Sequence, residues 1–306
     1  MENGEYKKLV CKEELEVDAF YSIHYFQYMS SFYFPGEQHG FWEFVCVDKG
    51  EVLIGAGEKT YRLKTGEMVF HEPGEFHWVK ATGEIAPNLV VISFSSESGM
   101  MDFFRKKMFT LSRGEGKVLA ALIREAGHSL EGRLDDPYQK ELVMDRKAAP
   151  AALQLMTLYL KQFLILLYRR NCEMAEDTCL KMPVYEKTSK NNYEEDLFAG
   201  ITLYMKENIG RKLKLEQICK ENMIGKAKLQ KVIHQKTGMG VIDYFVCLRI
   251  ETAKEYIRNE KLNFSQIAGE LGYSSQHYFS RQFRAVTGMT PTEYASSIKA
   301  MAEKER

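Results

Sequence analysis

The last hundred residues of this 306-residue chain carry the same pattern twice. The first copy contains Ile218-Cys219, Leu229, Ile233, Thr237-Gly238-Met239 and Asp243-Tyr244. The second contains Ile267-Ala268, Phe279, Phe283, Thr287-Gly288-Met289 and Glu293-Tyr294. The copies are offset by 49 residues in their first half and 50 in their second, so the second turn is one residue longer. Self-similarity at such a period marks one supersecondary unit used twice. Each copy reads as helix, tight turn, helix. In the second, Phe264, Ile267 and Leu271 form an apolar face and Gly272 permits the turn. Ser274 or Ser275 can cap the next helix, in which Phe279, Phe283 and Val286 point inward. Cys219 and Ala268 are small residues placed where the two helices cross.

The opposite face of that last helix is polar: His277, Ser280, Arg281 and Arg284, with Gln276 beside them. A helix anchored by aromatics yet polar on its other side suits the major groove of DNA. There arginine reads guanine or phosphate and glutamine reads adenine. The matching face of the first copy is Ala227, Gln230, Lys231 and His234, with Lys226 and Lys228 nearby; Ala227 is small enough to pack on a thymine methyl. A helix from about Val241 to Asn259 separates the copies. At ~1.5 Å per residue it is about 28 Å long, close to the ~34 Å between successive major grooves on one DNA face. Charge agrees. The chain is neutral overall, yet Arg211 to Thr290 holds 14 Lys and Arg against 7 Asp and Glu. A local basic surplus points to an anionic partner; the plainer reading is a solvated helical surface.

Residues from about 20 to 96 read as β structure, with short apolar runs punctuated by Gly50, Gly55, Gly57, Gly66 and Gly74. That spacing suits an antiparallel sandwich or barrel. Phe41 to Val47 is apolar on both faces except for Glu43, as a central strand would be. From Met100 to Arg170 the period turns helical. Leu153, Met156, Leu160, Phe163 and Leu167 form a continuous seam, with Leu155, Leu158, Ile165 and Leu166 beside it. The seam packs either on its own barrel or on a second subunit, and the apolar surface is wide enough for both. Residues 171–192 lose periodicity and read as a linker. The six cysteines form no C-x-x-C pair, as expected of free thiols in a reducing cytoplasm. The N-terminus lacks the apolar core of a signal peptide. Ala148 to Tyr168, the most apolar run, is broken by Pro150, Gln154, Lys161 and Gln162, which argues against a membrane span.

Residues 193–295 resemble the DNA-binding domain of the AraC/XylS family of transcription regulators. Ile267 to Tyr294 carries most of the family signature. Carried over by position, the DNA-facing residues are Lys226, Ala227, Gln230 and Lys231 in the first copy, and Gln276, His277, Ser280 and Arg281 in the second. Three positions depart from the pattern: Gly225 stands where a capping Ser is common, Ile233 where Phe is usual, and Ala295 where Arg is common. Residues 37–78 resemble the cupin-like sensor barrel of the same family, through Glu37, His39, Glu43, Gly50, Gly66-Glu67, Pro73 and His77. Metal-binding cupins use His-x-His-x(3,4)-Glu and a later His. Here Glu37 takes the first His position, while His39, Glu43 and His77 match the rest. Sensors of this family usually hold no metal, so no metal or other cofactor is expected. His39, Glu43 and His77 are expected to bind the effector, and lone His71 is read as an ordinary strand or loop residue. Trp42 and Trp78 are either structural or a platform for a sugar, and strand alternation turns Trp42 away from Glu43.

The expected fold is a two-domain α+β chain. Residues 1–98 form a cupin-like β-barrel sensor, 99–170 a helical dimerisation segment, 171–192 a linker, and 193–306 an all-α domain with two helix-turn-helix units. The resemblance implies a cytoplasmic transcription regulator with no enzymatic activity, controlled by a small-molecule effector such as a sugar. The expected partners are double-stranded promoter DNA, the effector and a second copy of the chain, with RNA polymerase a candidate and no membrane. A metal cupin enzyme tethered to DNA, or a constitutive DNA-binding protein whose barrel only dimerises, are the alternatives.

Overall fold

A computed structural model describes residues 8–139, 141–172 and 189–304. The N-terminal residues 1–7, most of the expected linker (173–188) and Cys179 lie outside the described residues. The chain divides into two compact units.

In the first unit the strands are β1 (Ala19–Gln27), β2 (Tyr33–Glu37), β3 (Trp42–Lys49), β4 (Glu51–Ala56), β5 (Lys59–Lys64), β6 (Glu67–His71), β7 (His77–Ala81), β8 (Asn88–Ser95) and β9 (Met108–Thr110). They form two antiparallel sheets, of order β1-β8-β3-β6-β9 and β2-β7-β4-β5. The cupin-like architecture is therefore present as two sheets; among the described residues no ladder closes them into a barrel. As its two-sided apolar character demands, β3 is the middle strand of its sheet. Two helices, α1 (Arg113–Ser129) and α2 (Ala152–Asn171), cover one face of that sheet. Trp42, Phe44, Cys46, Phe70, Ile92 and Phe94 pack there against Leu119, Leu122, Met156, Leu160, Phe163 and Leu167. Glu115 of α1, almost fully buried, is gripped by the guanidinium of Arg170 from α2 at 2.8 Å.

Residues 99–170 are less helical than their period suggests. They include a 3-10 turn at Gly99–Phe104, and β9 pairs with β6. The α2 seam is core: Met156, Leu160, Phe163 and Leu167 are fully buried in this unit. Leu153 departs from it and is half-exposed, as is Leu158, while Leu155 is exposed to a lesser degree. The apolar surface that α2 leaves exposed is therefore its outer face, not the seam. No helix among the described residues is long and apolar enough to cross a membrane.

The second unit contains α3 (Ser189–Glu207), α4 (Leu215–Glu221), α5 (Lys226–Thr237), α6 (Val241–Asn259), α7 (Phe264–Glu270), α8 (Gln276–Thr287) and α9 (Pro291–Lys304). It has two small cores. Ile201, Met205, Ile218, Leu229, Val232, Ile233, Val241 and Phe245 form the first. Ile250, Ala253, Ile257, Ile267, Ala268, Phe279 and Phe283 form the second. Helix α6 gives its N-terminal half to one core and its C-terminal half to the other.

Candidate functional site: two polar helix faces and a carboxylate–histidine cluster

Both copies close their first helix in the same way. Tyr273 N–H bonds to Ala268 C=O at 2.9 Å and Gly272 N–H to Gly269 C=O at 3.0 Å. Ile224 N–H bonds to Cys219 C=O at 2.9 Å and Met223 N–H to Lys220 C=O at 3.1 Å. This is the Schellman closure, which puts one residue in the left-handed region. That residue is Gly272 in the second copy, with φ +71°, and Met223 in the first, with φ +51°. Four residues then separate α4 from α5, whereas five separate α7 from α8, as the change of offset requires.

The repeated Thr-Gly-Met closes the second helix. Thr287 Oγ1 donates to Phe283 C=O and accepts from Met289 N–H, and Thr237 does the same with Ile233 and Met239. Gly238 and Gly288 are both left-handed helix caps. The helix starts differ. Ser275 Oγ accepts from Tyr278 N–H and caps α8, but Gly225 leaves α5 without a side-chain cap. A Cβ on Gly225 would meet nothing within 4 Å, and its φ of −76° suits any residue. Gly225→Ser is therefore expected to stabilise the second unit by about 0.5 kcal/mol. The check is a small rise in the thermal midpoint; a fall would show that the open N-terminus is needed as it is.

Phe279 and Phe283 are fully buried, as expected, but Val286 is 40% exposed and does not join the core. The first copy compensates for the smaller Ile233 by burying Val232 too, at the position that Gln282 holds in the second copy. On the outer faces Lys226, Ala227, Gln230, Lys231, Gln276, His277 and Arg281 are exposed and Ser280 is half-buried. The Arg281 guanidinium lies 5.4 Å from the centre of the Tyr278 ring. Lys228 is paired with Glu194 of α3, so it braces the domain.

A different constellation occupies the first unit. Glu43 of β3 points away from the helix-covered face, toward His77 of β7. Four side chains meet there. Glu43 Oε1 is 3.3 Å from His77 Nε2, Glu43 Oε2 is 3.6 Å from His39 Nε2, and Glu37 Oε1 is 3.8 Å from His77 Nε2. Ser93 of β8 donates to Glu43 Oε2 at 2.6 Å and its hydroxyl also meets that of Ser22. His71 stacks on His77 with ring centres 4.2 Å apart, and its Nδ1 is 3.3 Å from Glu75. Burial works against charge on Glu43, but the imidazoles of His39 and His77 outweigh it and hold the carboxyl well below the usual range. Burial likewise opposes a charged His77; the Glu37 and Glu43 carboxylates prevail and raise it to about 10. Burial keeps His71 below its ordinary value despite Glu75.

Two family models match the chain. A model described as an AraC-like ligand binding domain covers residues 20–97, and one described as a helix-turn-helix domain covers 218–297. The chain belongs to the AraC family of transcription regulators. Among relatives of this AraC-type chain, an HTH-type transcriptional regulator of Bacillus subtilis, YfiF, is 24% identical over 92% of this chain and 85% of its own. The HTH-type transcriptional activator RhaR of Mannheimia succiniciproducens is 23% identical over 86% of this chain and 87% of its own. RhaR of Yersinia pestis is 24% identical over 85% and 84%. An AraC-type regulator pairs a ligand-binding domain with a DNA-binding one, and this chain has both parts.

The three expected effector residues of this AraC-family chain, His39, Glu43 and His77, do come together, with Glu37 at their edge. Trp42 faces the helices in the core, on the side of β3 opposite Glu43. Trp78 lies across Gly55 of β4, where a Cβ would stand 1.9 Å from the indole nitrogen. Both tryptophans thus have structural positions. Sequence reasoning missed Ser93 and the burial of His71. Ser93 had the same signal as Glu43, a polar residue inside the apolar run NLVVISFS.

Proposed function

We propose that this chain is a cytoplasmic, homodimeric, non-catalytic AraC-type regulator whose sensor answers to a small polyhydroxylated effector, a sugar being the first class to try. The observation that supports it most is the pair of polar faces on α5 and α8, carried on cores that share α6. Lys226, Ala227, Gln230 and Lys231 would read one groove, and Gln276, His277, Ser280 and Arg281 the next. The effector would hydrogen-bond to His39, Glu43 and His77, and would act only through different affinity for two arrangements of the chain. The exposed outer face of α2, at Leu155 and Leu158, suits the dimer contact. The activator names of the relatives support RNA polymerase as the target of the bound protein.

The test begins with selection of a binding sequence from random duplexes. Affinity for the selected site should fall steeply with salt, because Lys and Arg contacts release counterions. Arg281→Ala should weaken specific binding by ~1–3 kcal/mol and relax preference at one base pair. An unchanged affinity removes Arg281 from the reading set. A thermal-shift panel of sugars on the full chain addresses the effector, since ligand at about a hundred times its Kd adds about 2.7 kcal/mol.

A further inference from the structure

We propose that Glu37, His39, Glu43 and His77 hold a divalent transition-metal ion. Each histidine uses its Nδ1 on a backbone carbonyl: His39 on Phe41 C=O at 3.1 Å, and His77 on Glu75 C=O at 3.0 Å. A carbonyl only accepts, so both Nδ1 atoms carry the hydrogen. Both Nε2 atoms then face the Glu43 carboxylate. Both Nε2 atoms are buried and neither makes a hydrogen bond; His77 as a whole is 1% exposed. Nitrogens and carboxylates gather this closely only around positive charge, which a proton on His77 supplies to its own pair and a metal ion would supply to all four residues at once. A proton serves one pair of atoms at a time, and two nitrogens and two carboxylates converge here.

The spacing suits an ion. With bonds of ~2.1 Å, neighbouring ligand atoms are about 3.0 Å apart in an octahedron and about 3.4 Å in a tetrahedron. The three pairs span 3.3 to 3.8 Å, and one ligand atom from each of the four residues lies within 4.8 Å of every other. The backbone carbonyls on Nδ1 are the outer partners that orient metal-binding imidazoles. Two imidazoles with two carboxylates favour zinc, manganese or iron(II) over calcium or magnesium. The Glu37 side chain is 53% exposed, so the site opens to solvent on that side and an oxygen ligand can complete the coordination there. The site is the one assigned to the effector, and the inference rests on that reading only in placing the effector's contact at the ion.

The experiment uses the full chain, purified without a histidine tag, stripped with chelator and dialysed against zinc, manganese or cobalt. Metal is counted by mass spectrometry, and the cobalt form gives a visible spectrum. One ion per chain is expected, with a thermal midpoint that rises on loading. Glu37→Gln changes a half-exposed side chain and should fold like the parent while loosening the ion at least tenfold. The His39→Gln, His77→Gln double variant should lose it. Failure to retain any of the three cations overturns the inference and leaves the site to a proton. Undiminished binding by the double variant overturns it too, by placing the ion elsewhere. The sugar panel is run on stripped and loaded protein. An equal sugar response of stripped and loaded protein overturns only the effector's contact at the ion, and a bound ion without a sugar response sinks the sugar reading alone.

Discussion

Gly272→Ala is expected to destabilise the second unit by about 3–4 kcal/mol and to abolish specific DNA binding. Two costs combine. The residue sits at φ +71°, where a Cβ costs ~1–2 kcal/mol. That Cβ would also stand 2.1 Å from the Gly210 carbonyl oxygen and 2.7 Å from its carbon. Backbone cannot swing aside as a side chain can, and overpacking of this kind costs ~1–3 kcal/mol. Gly210 is constrained in return, since its own Cβ would lie 2.4 Å from the Glu270 carbonyl oxygen. The first copy supplies the control. Met223 holds the same place in the same closure, but its side chain is 91% exposed and carries only the left-handed cost. Met223→Gly should therefore stabilise by about 1 kcal/mol. Chemical denaturation of both variants checks the pair, and a Gly272→Ala protein as stable as the parent would defeat the close-approach argument.

Arg249→Ala should cost about 3 kcal/mol and reduce affinity for a site spanning two grooves more than for either half alone. Its Nε donates to Ile209 C=O at 2.9 Å and its Nη2 to Arg211 C=O at 2.7 Å. Hydrogen bonds from a charged donor are worth ~1.5–3 kcal/mol each; water can replace part of this at the half-exposed carbonyls. The guanidinium also lies 4.6 Å from the Phe245 ring and 5.4 Å from the Tyr273 ring. Phe245 belongs to the first small core and Tyr273 to the second. One side chain therefore joins the loop after α3 to both cores. Arg249→Lys keeps the charge but not the two-pronged fork, so it should recover less than half of the loss. Equal effects on the half-sites and the full site would show that Arg249 stabilises without setting their relation.

The double helix-turn-helix was legible because each device in it is local. The Thr hydroxyl that closes a helix, the glycine that caps it and the buried aromatics one turn apart lie within a few residues of one another. The bounds of α6 and the central place of β3 could be read for the same reason. Val286 was misjudged because helix periodicity fixes a direction, not whether anything lies there to cover it. On α2 the pattern could not say which apolar stripe is core, since Leu158 and Leu160 differ only in what packs on them. The cluster was half legible. Glu43 announced itself as a charge in an apolar strand, but its approach to His77 joins β3 to β7, strands of different sheets; no local pattern encodes that, and only the family resemblance grouped the two. That strand β9 pairs with β6 is likewise a long-range choice.

Helix α6 also sets a phase. An α-helix advances ~1.5 Å and turns about 100° per residue. One residue inserted into its middle, between Leu248 and Ile250, would rotate everything beyond it by more than a quarter turn. Helix α8 would then address the side or back of the duplex, although both cores could still form. Substitutions along α6 can drift freely on its solvent side, whereas its residue count cannot change by one. A lengthening by a multiple that restores the rotation, seven residues or so, would keep α8 facing the DNA but move its contact along the duplex. In such a lineage the binding sequence would have to lengthen in step.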